Sequence, residues 1–416
     1  MQAAVRLALT GLAVFTLVLG EASATHSDQS KPRARDLGIL LGGTPGPLDA
    51  ITDVAGVEVG HITLIAGEGR LVAGQGPVRT GVTAILPRGK NSLDPVFAGW
   101  FSLNGNGEMT GTTWVDESGF LEGPIMITNT HSVGVVRDAV VEWTAARNPN
   151  LVFALPVVAE TADALLNDMN GFHVRKEDAL AALDNATSGP VAEGNVGGGT
   201  GMICHEFKGG IGTASRVLPP ELGGYTVGVL AQCNSGTRRE LRIDGVPVGL
   251  EIPDLHWCYD ADEPPAREWV RPVVPRCGEA SAGAQPNPLA GTGSIIIVVA
   301  TDAPLLPHQL KRLARRAALG LGIMGGQGEN FSGDLMIAFS TANPGAAEPQ
   351  IVTLTMYPNQ WMDALFGATI EATQEAILNA MLAAETMTGA DSIRVFALPH
   401  ARLLEVLRRY NRLATH

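Results

Sequence analysis

The chain lacks most of the signatures by which hydrolases and metalloenzymes are read. Neither G-x-S-x-G nor H-E-x-x-H occurs in its 416 residues, so a nucleophile-elbow triad and a zinc peptidase are both unsupported. Cysteine is scarce. Cys204, Cys233, Cys258 and Cys277 form no C-x-x-C pair and have no histidine at a zinc spacing, so no metal and no cofactor is expected. The Gly-rich run EGNVGGGTGM, from Glu193 to Met202, lacks the Lys-Ser/Thr of a P-loop and has no clear place between a strand and a helix. A tight backbone crossing that needs glycine is the reading it favours. Charged residues are only 17% of the chain and the acidic ones prevail, giving a net charge of −13, which excludes nucleic acid as a partner class. No repeat of fixed period occurs.

The only long apolar run stands at the start, MQAAVRLALTGLAVFTLVLGEASATHSDQS. Arg6 supplies a positive region, Leu7 to Leu19 an apolar one too short to span a bilayer comfortably, and Ala22-Ser23-Ala24 a small-x-small cleavage site. Residues 1–24 therefore read as a signal peptide. A periplasmic or secreted protein without a stable membrane anchor is expected. Its removal takes away Arg6 and Glu21, one charge of each sign, and leaves −13.

What remains, roughly 390 residues, is long for a simple core, and its low charge and many glycines favour one large, well-buried α/β body. Strand-like runs recur as GVTAILPR, PVFAGWF, GPIMITNT, LVFALPVV, YTVGVLAQCN, SIIIVVATD, DLMIAFST and QIVTLTM. VGVVRDAVVEWTAARNP and TADALLNDMNGF carry helical spacing with Pro and Gly stops. Pro307 starts a further helix in which Leu310, Leu313, Ala314, Ala317 and Leu321 share one face, while Lys311, Arg312, Arg315 and Arg316 lie off it on a solvated side. Strands apolar on both sides, alternating with helices, imply sheets covered by layers.

Between Glu251 and Gly293 the prolines 253, 264, 265, 272, 275, 286 and 288 mark a long irregular excursion, read as a linker or processing region. Cys258 and Cys277 bracket part of it. In an oxidising compartment a disulfide there would contribute on the order of 3 kcal/mol. Cys204 and Cys233, after apolar or glycine-rich segments, read as buried free thiols.

The excursion ends on AGTGSIIIVVATDAPL, where Ser294 stands at the mouth of a core strand. One reading is a strand-capping serine. The other begins from Gly293, the least hindered acyl donor: if its carbonyl shifts to the serine oxygen and hydrolyses, Ser294 becomes a chain terminus. Its α-amino group, with an ordinary pKa near ~8, is then a base beside its own hydroxyl. Further on, NFSGDLMIAFS puts Ser332 and Asp334 two apart at a strand start, so both side chains share a face and would orient a neighbouring nucleophile; S-G-D as a plain turn is the competing reading.

GSIIIVVATDAPL, GENFSGDLMIAFST, VGVLAQCNSGTRRELRIDGVPVG, GNVGGGTGM with KGGIGTASR, and GPIMITNTHSVG occur in the order and context of one family. Together they resemble the L-aminopeptidase/D-esterase family, which includes the β-peptidyl aminopeptidases. The resemblance runs from about Leu37 to Ala397. It implies a four-layer αββα sandwich like that of the ornithine acetyltransferases, in a single large domain that cuts itself into residues 25–293 and 294–416. By resemblance, Gly293-Ser294 is the scissile bond and Ser294 the nucleophile of self-cleavage and of peptide hydrolysis. Asn234, in QCNSG, matches the amide that stabilises the oxyanion. Ser332 matches the family's second serine, and Asp334 stands where some members carry glutamate. Glu160 matches the carboxylate that receives the substrate's free amino group. Two positions later the family usually has an aromatic residue and this chain has Ala162, so a more open pocket wall is expected; the insertion before Ser294 is a second departure.

The expected activity is removal of the N-terminal residue from short peptides, amides or esters, by a homotetramer of processed protomers. Acyl transfer of the ornithine acetyltransferase type, or a binding module that never processes, are the alternatives.

Overall fold

The computed structural model describes residues 31–279 and 293–414. The expected signal peptide and the part of the arm from 280 to 292 lie outside them.

Two sheets carry the architecture. The smaller contains β1 (Glu58–Ala66), β2 (Val78–Leu86), β5 (Ile125–Thr128) and β6 (Val157–Glu160), in spatial order β1-β2-β5-β6. The larger contains β3 (Val96–Ser102), β4 (Phe120–Leu121), β9 (Gly210–Val217), β10 (Thr226–Asn234), β12 (Ser294–Thr301) and β13 (Gly333–Ser340), in order β4-β3-β13-β12-β10-β9. A ribbon of β7 (Ile203–Cys204) and β8 (Phe207–Lys208), and a patch of β11 (Cys258–Tyr259), β14 (Met387–Thr388) and β15 (Ile393–Val395), complete the strands. The helices are α1 (Thr112–Ser118), α2 (Val133–Arg147), α3 (Lys176–Asp184), α4 (Val248–Glu251), α5 (Pro307–Ile323), α6 (Met362–Leu382) and α7 (His400–Arg409).

Three apolar seams separate four layers, as the period of two along each strand requires. Ile296, Val298, Ala300, Leu335 and Ile337 face the other sheet and meet Ile85, Ile125, Ile127 and Val157. Their neighbours Ile295, Ile297, Val299 and Met336 face outward onto α5 and α6. Beyond the smaller sheet, Val82, Ala84, Met126 and Val158 meet α2 and α3. The αββα sandwich expected from the resemblance is borne out.

Helix α5 follows its pattern, with Leu310, Leu313, Ala314, Ala317 and Leu321 all buried. Its charged side is less simply solvated than expected. Arg315, though exposed, lies over Phe101, Arg312 and Arg316 lay their guanidinium groups over Phe366, and Lys311 pairs with Asp116 at 2.8 Å. The longest helix, α6, carries no sequence period because it is buried on nearly every side, between the large sheet and α5. Its close seating needs glycine: a Cβ at Gly212 would lie 2.0 Å from the Ala376 carbonyl oxygen, and one at Gly320 would lie 2.6 Å from Thr373 Cβ.

Several expected elements do not form. QIVTLTM has no strand partner, and Ile351, Leu354 and Met356 are exposed. LVFALPVV is extended into strand only from Val157. TADALLND makes one turn closed by Asp163 and no helix, because the carbonyls of Ala164 and Leu165 are taken by Arg267. The excursion from Glu251 is irregular as expected but firmly seated. Its β11 pairs with β15, and Val270 and Val274 pack on Leu165, Leu166 and Ile393.

Candidate active site

Ser294 begins β12 in the middle of the large sheet, antiparallel to β10 and parallel to β13, so that Asn234 and Gly333 are its register partners on either side. The residue is 5% exposed, and its hydroxyl accepts the Gly333 N–H at 3.3 Å. Gly293 admits no side chain here: a Cβ would lie 2.4 Å from the Asn234 carbonyl oxygen and 2.6 Å from Ser235 Cα.

The Asn234 carboxamide is held in one orientation. Its Oδ1 accepts the Ile203 N–H at 2.8 Å, and its Nδ2 donates to the Ala162 carbonyl at 3.0 Å. A backbone N–H can only donate and a carbonyl can only accept, so the amide cannot turn over, and one Nδ2 hydrogen stays uncommitted. Beside it, the structure overturns the expectation of free thiols. Cys204 and Cys233 are buried as expected but joined in a disulfide. The turn from β7 to β8 brings them together, packing so closely that a Cβ at Gly209 would lie 2.8 Å from Cys204 Cβ and 2.4 Å from the Cys233 carbonyl oxygen. The expected disulfide between Cys258 and Cys277 is present and staples the excursion.

On the other side of Ser294, Ser332 and Asp334 flank Gly333. The Ser332 hydroxyl donates to Asp334 Oδ1 at 2.6 Å, so the shorter carboxylate does reach its serine. Asn104 holds the same aspartate twice, donating from Nδ2 to Oδ2 at 3.0 Å and accepting the Asp334 N–H at 2.6 Å. Burial raises the Asp334 carboxyl above its ordinary range, and the Ser332 and Asn104 donors oppose that rise.

Glu160 ends β6 in the opposite sheet and is 3% exposed. Its carboxylate accepts the Glu108 N–H at 2.9 Å and the Thr130 hydroxyl. Burial raises its pKa, with those two donors acting against the rise. Gly107 spans the gap to the serine strand: a Cβ there would lie 3.1 Å from Glu160 Oε1 and 3.2 Å from Gly333 Cα. The carboxylate and the serine are thus one glycine and one strand apart. Ala162 is partly exposed, and its carbonyl holds Asn234.

The segment SLNGNGE, residues 102–108, supplies Asn104, Gly107 and Glu108, none of which sequence reasoning singled out. An Asn/Gly cluster directly after the PVFAGWF strand was the available signal. The run EGNVGGGTGM is the crossing expected of it. Gly197 to Gly199 are buried between the sheets, and a Cβ at Gly198 would lie 2.2 Å from Gln232 Oε1. Among the described residues no group of three or more His, Cys, Asp or Glu is arranged to hold a metal, and no helix is long and apolar enough to cross a membrane.

A hydroxyl, a carboxamide and a buried carboxylate stand at one end of two facing sheets flanked by helices, a set of groups suited to acyl hydrolysis. The family follows from comparison. The model of peptidase family S58 matches residues 49–395, and the chain belongs to that family. It is 54% identical over 402 residues to the β-peptidyl aminopeptidase BapA of Sphingosinicella microcystinivorans, covering 96% of this chain and 97% of the relative. To the protein of the same name from Sphingosinicella xenopeptidilytica it is 47% identical over 403 residues, covering 95% and 96%. The L-aminopeptidase D-Ala-esterase/amidase of Ochrobactrum anthropi, described as a variant of the Ntn hydrolase fold, superposes with a TM-score of 0.80 at 46% identity, covering 92% of this chain and all of that one. The protein is an aminopeptidase.

Proposed function

We propose that this aminopeptidase matures by cutting itself at Gly293-Ser294 and then works through Ser294 as an N-terminal nucleophile. The observation that carries the reading is the register Asn234–Ser294–Gly333, with Glu160 one glycine away. In maturation, Ser294 Oγ attacks the Gly293 carbonyl, the peptide C–N bond breaks, and the hydroxyl proton passes to the departing Ser294 nitrogen. Water then hydrolyses the ester, leaving a Gly293 carboxylate and a free amine and hydroxyl on Ser294. In turnover the same hydroxyl attacks the substrate's acyl carbon while the α-amine takes its proton and hands it to the leaving amine as the C–N bond breaks; water then attacks the acyl-serine ester, the α-amine taking its proton and returning it to Ser294 Oγ, and the residue leaves as its carboxylic acid. The uncommitted Asn234 N–H stabilises the oxyanion. Ser332 and Asp334 orient the new α-amine, and Glu160 receives the substrate's ammonium, an interaction that rejects blocked N-termini because the buried carboxylate would be left unpaired.

The 54% identity to a β-peptidyl aminopeptidase and the small side chain at Ala162 support β-amino acid residues as preferred substrates. Export under the direction of residues 1–24 and assembly as a homotetramer complete the proposal. N-terminal sequencing of the purified enzyme should find two chains, one starting at Ser294, and Ser294→Ala should give one intact chain without activity. A β-alanyl p-nitroanilide should be cleaved faster than its α-alanyl isomer. An active preparation containing only uncut chain would end the proposal.

A further inference from the structure

We infer that Arg267, on the excursion before Ser294, is a positioning residue for the oxyanion carboxamide of Asn234, acting through the loop that follows Glu160. The inference rests on the role proposed above for Asn234.

Half of what orients Asn234 comes from a carbonyl in an irregular loop. Ala162 O accepts from Asn234 Nδ2, and the loop carrying it leaves the ladder at Thr161, whose N–H makes the last bond to β5 at the Thr128 carbonyl (3.3 Å), before the following residues make a single turn. Arg267 supports the loop beyond that last ladder bond. Its guanidinium donates from Nη1 to the Ala164 carbonyl and from Nη2 to the Leu165 carbonyl at 3.0 Å, while Nε binds Asp391 Oδ2 at 2.9 Å. Asp391 is itself fixed, because its Oδ1 accepts the N–H groups of Leu71 at 3.1 Å and of Ala266 at 3.0 Å. The planar fork therefore ties the carbonyls two and three residues after Ala162 to a carboxylate held by two backbone N–H groups, and no point charge could occupy all three positions at once. Val270 and Val274 press on Leu165 and Leu166 from the same excursion, and the Cys258–Cys277 disulfide closes it.

The insertion thereby acquires a task in the reaction. It is a strut behind the Ala162 carbonyl, and the Ala162 carbonyl sets where the remaining Asn234 N–H points. A misplaced donor costs catalysis at the transition state and little in ground-state affinity, because an oxyanion exists only in the former.

A double-mutant cycle tests this. In the otherwise wild-type enzyme, Arg267→Ala should lower kcat about tenfold with KM changed by less than about twofold, and Arg267→Lys should not restore kcat. In an Asn234→Ala background, Arg267→Ala should cost less than about twofold further. The rate of chain cutting, followed on gels, is the second readout where Asn234→Ala slows maturation, and the lysine variant, which keeps a cation beside Asp391, takes the place of the alanine variant where that one does not fold. An equal penalty for losing Arg267 in both backgrounds overturns the inference and leaves the role of Asn234 standing. Unchanged kcat and unchanged cutting in Asn234→Ala alone would remove the role of Asn234 and the inference together.

Discussion

At the scale of single residues, the site is governed by burial acting on carboxyl groups. Glu160 and Asp334 are both raised by desolvation, and each is brought back toward ionisation by donors that point only at it. Asp163, one residue beyond Ala162, shows the other outcome. It is buried and accepts from Asn167 at 3.0 Å, yet its Oδ2 has no partner among the described residues, and burial raises its pKa to about 6. The unfolded chain ionises this group near ~3.9, so between about pH 4 and pH 6 the folded state holds a proton that the unfolded state has released. Stability contributed by the protonated acid is complete below that window and is lost as the pH rises through it, by about 3 kcal/mol for a shift of this size. Asp163→Asn should abolish that slope. Thermal melts should therefore show the variant gaining on the wild type between pH 4 and pH 7; a difference in Tm that stays constant across that range would refute the assignment.

Elements are legible in this sequence in proportion to how one-sided their burial is. Helix α5 has a wet side and a dry side, and its buried stripe is readable from spacing alone. Leu313→Ala should cost about 2–5 kcal/mol, whereas Arg315→Ala, at an exposed position, should change stability by less than about 0.5 kcal/mol. Urea unfolding of the two variants measures the contrast. Helix α6 and strand β9 escape the same reasoning. The helix is buried on nearly every side, and β9 is enclosed by α6 and β10, so neither shows an alternation to read. The converse failure is QIVTLTM, a run with strand composition but no neighbouring strand to accept its hydrogen bonds. The excursion belongs to both cases: its prolines announced irregularity, but nothing in them announced that Arg267 would close on the Ala164 and Leu165 carbonyls.

For the whole molecule, the position of Ser294 in the sheet has a consequence. β12 lies between β10 and β13, and its residues are buried on both faces, so the segment that self-cleavage would turn into a new chain is the middle of the larger sheet. The two chains cannot part without dismantling that sheet. Cut enzyme should elute as a single species in size-exclusion chromatography, and the chains should separate only in denaturant; separation under native conditions would contradict the topology.

What the sequence by itself determined is what local chemistry encodes. Continuous apolar runs specified buried strands, Gly293-Ser294 specified an unhindered junction before a hydroxyl, and the ordered motifs carried the family resemblance, which in turn implied the layering. Tertiary structure alone decided the partners. Asn104, Gly107 and Glu108 meet Asp334 and Glu160 only because β3 pairs with β13 and delivers its following loop beside both sheets. Cys204 finds Cys233 only through the turn of a ribbon, and Arg267 finds Ala164 only because β11 pairs with β15. Such contacts join residues far apart in the chain, and their selection depends on which surfaces the packed layers leave adjacent, a quantity no window of sequence contains.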